Sequence, residues 1–187
     1  LSRKAHPFSN QLALSAIELI TANLLPAYRD GHNLAAREAM SLGSLQAGMA
    51  FSNASVALVH GMSRPIGALF HVPHGISNAM LLPAVLEFSK ENCTPQLAKM
   101  APFFIEQTAD LSEEELAEEV IQAVKALCRS LDIPNLKGYG IEEAAFYAAI
   151  PKMVVDAIAS GSPANNPRIP TEEELAQLYK DVYHYVF

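Results

Sequence analysis

The chain has 187 residues, 50% of them hydrophobic and 18% charged, with a formal net charge of -7. That length holds one domain with a proper core and leaves two cramped, while an acidic balance without clustered Lys and Arg excludes a nucleic-acid-binding surface. Cys93 and Cys128 form no CxxC pattern, which excludes a disulfide scaffold or zinc ribbon and fits a reducing, cytoplasmic setting.

The chain opens on Leu1-Ser2-Arg3-Lys4-Ala5-His6, with neither an initiator Met nor a signal segment, and so reads as the continuation of something longer. Leu12, Ala16, Leu19, Ile20 and Leu24 then mark one face of a helix that should end near Asp30-Gly31. Asn33 can cap a second helix, whose small residues Ala36, Ala39, Gly43, Ala47, Gly48 and Ala50 permit close helix approach, as far as Phe51-Ser52-Asn53. A further helix is expected from Ala54 to Met62, and another from about His74-Gly75 to Lys90. Ser112 to Glu115 has the form of a capping box and opens a helix carrying Leu116, Val120, Val124, Leu127 and Leu131, stopped at Asp132-Ile133-Pro134. A helix from Ile141 to about Ser160 follows. The turn-rich Gly161 to Pro170 loop then precedes a last helix, boxed by Thr171 and Glu174. No period-2 strand, repeat or low-complexity tract is visible, so the expected fold is an all-α multi-helix bundle formed by a single domain over residues 1–187.

From Ala39 to Val85 the only formally charged side chain is Arg64, which predicts burial of this region on most of its faces. Ser41, Ser44, Gln46, Ser52, Asn53 and Ser55, followed by His60 and Arg64, argue against a membrane span. Within this dry stretch lie His60, His71 and His74. On one unbroken helix His60 and His74 would be about 21 Å apart, too far to share an ion. Pro65, Gly67 and Pro73 can break such a helix, so a bend is predicted that brings His60, near the end of one helix, to His74 at the start of the next. Imidazole nitrogen suits Fe, Zn, Ni or Cu, although each histidine taken alone could equally be a core residue satisfied by backbone carbonyls. His71 and His74 are an alternative pair, with Pro73 between them disfavouring simple helical spacing, and His71 is placed in a substrate or cofactor cavity. Two imidazoles do not complete a site. The nearest acids, Glu38 and Glu87, stand in no motif relation to them, so a carboxylate must come from a distant helix such as the one carrying Asp156, or from polypeptide outside the chain.

The run Ala47-Gly48-Met49-Ala50-Phe51-Ser52-Asn53, Leu58 to Ser63, and Pro73-His74-Gly75-Ile76-Ser77-Asn78-Ala79-Met80-Leu81-Leu82-Pro83 resembles the C-terminal helical domain of the iron-containing (group III) alcohol dehydrogenases. The likeness begins with Ser2-Arg3-Lys4-Ala5-His6-Pro7, includes Ala36-Arg37-Glu38 and ends with Asn166-Pro167-Arg168. It implies a dehydroquinate synthase-like all-α domain that carries a divalent metal, Fe2+ or Zn2+, beside an N-terminal nucleotide-binding domain that holds most of the NAD or NADP and is absent from these residues. In that family one Asp and three His bind the metal. His60 and His74 match the last two ligands, and the Asp and first His precede the segment that Leu1-Ser2-Arg3-Lys4 resembles. The resemblance further implies reversible hydride transfer between a small alcohol or aldehyde and the nicotinamide, homo-oligomers, and inactivity of these 187 residues alone.

Phe51 matches a position lining the substrate cavity in relatives, with a plain core aromatic as the other reading. The Asn166-Pro167-Arg168 loop is expected near the cavity mouth or as a cap on the last helix. Many relatives carry a further histidine four residues after the ligand that His60 matches, where this chain has Arg64. A guanidinium cannot relay protons near neutral pH, so Arg64 is expected to face an anion, either a nucleotide phosphate or a substrate carboxylate, or else to pair with an acid such as Glu38. Two other readings compete: a free-standing helical interaction module with structural histidines, and a reductase of oxo-acids or aldehydes on the same fold, for which Arg64 is the cue.

Overall fold

A computed structural model describes residues 1–187 as eight α-helices with short 3-10 turns and no strand. The helices are α1 (Pro7–Arg29), α2 (Leu34–Ala54), α3 (Leu58–Phe70), α4 (His74–Ser89), α5 (Thr94–Ala98), α6 (Glu113–Ser130), α7 (Glu143–Ala159) and α8 (Glu172–Tyr183). The expected all-α bundle is what forms, and no helix is long and apolar enough to cross a membrane.

Three of the starts follow the sequence signals. Asn33 Oδ1 accepts from the Ala36 N–H at the head of α2. Ser112 with Glu115 and Thr171 with Glu174 form complete capping boxes on α6 and α8. The small residues of α2 let it lie close against α1: a Cβ at Gly43 would fall 2.9 Å from Ile20 Cγ1. α1 and α2 pack chiefly on one another as a helical hairpin, and α1 also touches the body at the Ala101–Phe103 turn and through the Tyr28 hydroxyl, which donates to Asp132. The main core forms from α3, α4, α7 and α8, centred on Met62, Met80, Phe146, Met153 and Tyr179. A smaller core joins the end of α4 to α5 and α6 around Leu97 and Ile121. Tyr179 donates from its hydroxyl to the Met62 carbonyl at 3.0 Å, tying α8 to the helix that carries His60.

Two expectations need correction here. The helix expected over Ala54 to Met62 is in fact α3, which starts at Leu58 and runs through Pro65 and Gly67 to Phe70. His60 therefore stands in its first turn, not near its end. Pro65 is buried, as is Pro83 inside α4, and packing of both faces outweighs the single ladder hydrogen bond each ring forfeits. The chain reverses later, at His71, which adopts the left-handed conformation (φ 56°, ψ 28°) and caps α3 through its N–H to the Gly67 carbonyl. Residues 72 and 73 then run back along α3. A Cβ at Gly67 would meet the Val72 carbonyl at 3.3 Å, so glycine there leaves room for the close return.

The second correction concerns burial. Leu42, Leu45, Met49 and Phe51 are exposed, and so are Arg64, His71 and His74. The charge-free stretch combines a true core on α3 and α4 with apolar surface on α2, because α2 lies chiefly against α1.

Candidate metal centre

His74 opens α4 and His60 lies in the first turn of α3, and the backward run of residues 71–73 brings the two together. Their ring centres are 5.2 Å apart, inclined at 60°. With metal–nitrogen bonds of about 2.1 Å, two imidazoles on one ion have centres roughly 4.5–6.5 Å apart, so the pair fits a shared ion. The predicted meeting of His60 and His74 is thus found, although the bend is built differently.

Burial lowers the pKa of His60, and the neighbouring His74 and Arg64 lower it further, which favours the neutral imidazole that a metal requires. His74 is held on both ring nitrogens. Its Nδ1 lies 3.2 Å from Ser63 Oγ and its Nε2 lies 3.0 Å from Asn78 Nδ2. Asn78 Oδ1 is buried without a partner, so the wall beside the pair retains unspent hydrogen-bonding capacity. No group of three His, Cys, Asp or Glu side chains converges anywhere in the chain. Asp156 pairs with Lys152, and Glu87 with Lys125 and the Tyr185 hydroxyl, and neither converges on the two histidines. The residues present match part of a nitrogen-rich metal site and do not complete one.

Phe51, at the end of α2, has its ring centre 6.4 Å from that of His60 and is half exposed, which places it at the edge of the pair and removes the plain-core reading. Arg64 follows His60 by one helical turn. The expectation that it is buried is wrong: it is exposed, since the Gly161–Asn165 loop covers only one side of α3 there, and its Nη1 donates to Ser162 Oγ at 3.2 Å. It forms no ion pair with Glu38 or any other acid of the chain. His71 stands exposed at the tip of the reversal, about 16 Å along α3 from His60, and is not brought to the pair.

The Asn166-Pro167-Arg168 loop is structural. Asn166 donates to Ser89 Oγ, and Arg168 pairs with Glu174 while lying over the Phe88 ring, so the loop locks the end of α4 to the start of α8. Ser63, Ser77 and Asn78 were given no role from sequence alone. The one signal was helical spacing, which puts Ser77 and Asn78 one turn beyond His74 and Ser63 one turn beyond His60.

The fold and the site together define a class, an all-α helical domain that brings two histidines together at its surface. Residues 1–183 match the model of the Fe-containing alcohol dehydrogenase family, C-terminal region, and the chain belongs to that family. It is 38% identical to the 1,3-propanediol dehydrogenase of Citrobacter freundii over 184 residues, covering 98% of this chain and 46% of that protein. It is 36% identical to the NADPH-dependent butanol dehydrogenase of Clostridium saccharobutylicum, covering 95% and 45%. Among solved structures, a 1,3-propanediol oxidoreductase superposes with a TM-score of 0.91 at 36% identity over 97% of this chain and 47% of that one. An alcohol dehydrogenase from Oenococcus oeni superposes with a TM-score of 0.90 at 32% identity, again over 97% and 47%. The chain therefore spans about half the length of the curated relatives it matches.

Proposed function

We propose that these residues form the metal-binding half of an NAD(P)-linked alcohol dehydrogenase that interconverts small alcohols with aldehydes or ketones by hydride transfer. The observation that carries this reading is the His60–His74 pair at 5.2 Å. In it His60 and His74 hold Fe2+ or Zn2+, and the further donors, a carboxylate among them, come from polypeptide beyond these residues. When bound, such an ion supplies a Lewis acid for the alcohol or carbonyl oxygen. The chain's own residues do the rest: His60 and His74 fix where the reacting oxygen sits, and the Phe51 ring beside His60 forms an apolar wall that displaces water. The nicotinamide, NAD or NADP, is bound mainly by an N-terminal nucleotide-binding domain. The exposed apolar side chains of α2, with Leu45 61% and Phe51 51% accessible, favour such a covering domain or a second subunit, and hence a homo-oligomer. Two buried, unpaired thiols agree with a cytoplasmic setting.

Metal analysis of the enzyme is the test. One equivalent of iron or zinc per chain, lost in His60→Ala and in His74→Ala with folding retained, is the expected result. Stoichiometric metal surviving both substitutions would refute it.

One observation favours a second reading of the substrate. Arg64 is exposed one turn from His60 and pairs with no acid, so a substrate with a carboxylate or similar anionic group would find a charge partner there. Arg64→Leu should then raise KM for acidic substrates about 10-fold or more while leaving neutral alcohols little changed. Equal effects on both substrate types would dismiss the anionic preference.

A further inference from the structure

We propose that Ser63 and Ser77 are positioning residues that fix the tautomer of His74, holding the proton on Nδ1 so that Nε2 presents its lone pair to a metal ion. This rests on the metal-binding reading above and names the residues that prepare one of its ligands.

The direction of each hydrogen bond can be worked out from donor count. The Ser77 hydroxyl lies 3.0 Å from the His74 carbonyl oxygen, which can only accept, so the single Ser77 proton is committed there. Ser63 Oγ and Ser77 Oγ are 2.6 Å apart, and with the Ser77 proton spent, Ser63 must donate to Ser77. Ser63 then has no proton left for the imidazole. Across the 3.2 Å contact its oxygen accepts, and His74 Nδ1 carries the hydrogen. The chain of bonds thus leaves His74 at its ring and returns to His74 at its carbonyl. On the far side of the ring, Asn78 Nδ2 lies 3.0 Å from Nε2; in this tautomer the amide holds, in the metal-free protein, the lone pair that a bound ion would take over from it.

Both serine side chains are fully buried. No solvent competes for their protons, and each hydroxyl must be satisfied from within the protein. The opposite tautomer would require the Ser63 and Ser77 hydroxyls both to reverse and the Asn78 amide to turn over, and it would forfeit the bond to the His74 carbonyl. Ligating histidines are commonly oriented through the nitrogen that does not bind metal. Here that role falls to a neutral hydroxyl pair that spans α3 and α4, so the same contacts that hold the two helices together also set the ligand.

The test is two-dimensional 15N NMR of the histidine rings in the metal-free enzyme, held about two pH units above the usual imidazole pKa so that the rings are neutral. His74 is assigned by its loss in His74→Gln. The wild type should show His74 as the Nδ1–H form. Ser63→Ala removes the acceptor and should shift His74 towards Nε2–H. Ser77→Ala frees the Ser63 proton to point at Nδ1 and should give a mixture. Iron or zinc affinity by chelator competition should fall roughly 10- to 100-fold in Ser63→Ala, and less in Ser77→Ala. Ser63→Thr, which keeps the hydroxyl, should retain the Nδ1–H form. A purely packing role predicts instead that all variants keep the wild-type tautomer. That result, or an Nε2–H form in the wild type, overturns the proposal. If Ser63→Ala fails to fold, the wild-type and Ser77→Ala spectra decide alone. Failure of the wild type to bind metal sinks the metal reading separately, because the tautomer is read without metal.

Discussion

At the scale of single residues, two glycines of similar sequence context do opposite things. A Cβ at Gly61 would fall 2.9 Å from Pro163 Cγ and Cδ, so this glycine is what lets the Pro163–Asn165 turn lie against α3 next to His60. Replacing a helical glycine with alanine gains about 1 kcal/mol of helix propensity, but overpacking costs about 1–3 kcal/mol, so Gly61→Ala is expected to lose up to about 2 kcal/mol in urea unfolding. Gly48, on α2, would place a Cβ in open space, and Gly48→Ala should instead gain up to about 1 kcal/mol. Equal signs for the two would show that contacts at Pro163 do not limit position 61. His71 offers a third case. Its left-handed backbone costs a non-glycine residue about 1 kcal/mol. His71→Gly relieves that strain while loosening the unfolded chain, so stability should be unchanged or rise by up to about 1 kcal/mol. A loss of more than about 1 kcal/mol would mean that the imidazole makes contacts the fold depends on.

At the scale of elements, the helices that the sequence announces most clearly are those with polar caps. Asn33, Ser112 and Thr171 each accept an N–H of the turn they open, and these starts were legible because the cap and its partner lie within three residues. The start of α3 was illegible for the converse reason. Its N-cap, Ala57, offers no side-chain bond, and Pro65 and Gly67 look like breakers although the first is absorbed by core packing and the second serves the returning chain. A strong left-handed cap at a histidine also carries no ordinary sequence sign. Of the candidate site, the two histidines and Phe51 were readable from their motif. The exposure of Arg64 and the serine pair depend on which faces α3 and α4 turn to each other, and local periodicity does not fix that. The α8 cap carries a pH signature. Glu174 accepts from the Thr171 N–H and pairs with Arg168, and these contacts hold its carboxyl below its usual value of 4.5. A depressed acid adds stability that is complete above the unfolded value and is lost as pH falls through the folded one. Stability should therefore decline below about pH 4.5 with a slope that is shallower in Glu174→Gln. An unchanged slope in acid unfolding would assign the decline to other carboxylates.

At the scale of the whole molecule, stability is unevenly shared. Both hydrophobic cores are built from residues after position 57, and neither includes a side chain of α1 or α2. The hairpin is held internally by close packing at Gly43 and is joined to the body by few links, among them the Tyr28 hydroxyl to Asp132, the Arg3 N–H to the Asn165 carbonyl and Asn165 Nδ2 to the Val56 carbonyl. A unit with little shared core opens without the rest. In hydrogen exchange on these 187 residues, amides of α1 and α2 should therefore be protected less than those of Met80 and Tyr179 by roughly 30-fold or more, about 2 kcal/mol of opening free energy. Equal protection would mean that the hairpin opens only in global unfolding, which its placement argues against. The same measurement bears on the exposed apolar face of α2. If a second subunit covers Leu42, Leu45 and Met49, raising the protein concentration should protect the α2 amides while the main core stays unchanged, because association stabilises only what it buries. Protection independent of concentration would leave that face to a covering domain of the same polypeptide. Since Phe51 continues that face to the side of His60, whichever partner covers it also closes one side of the His60–His74 pair.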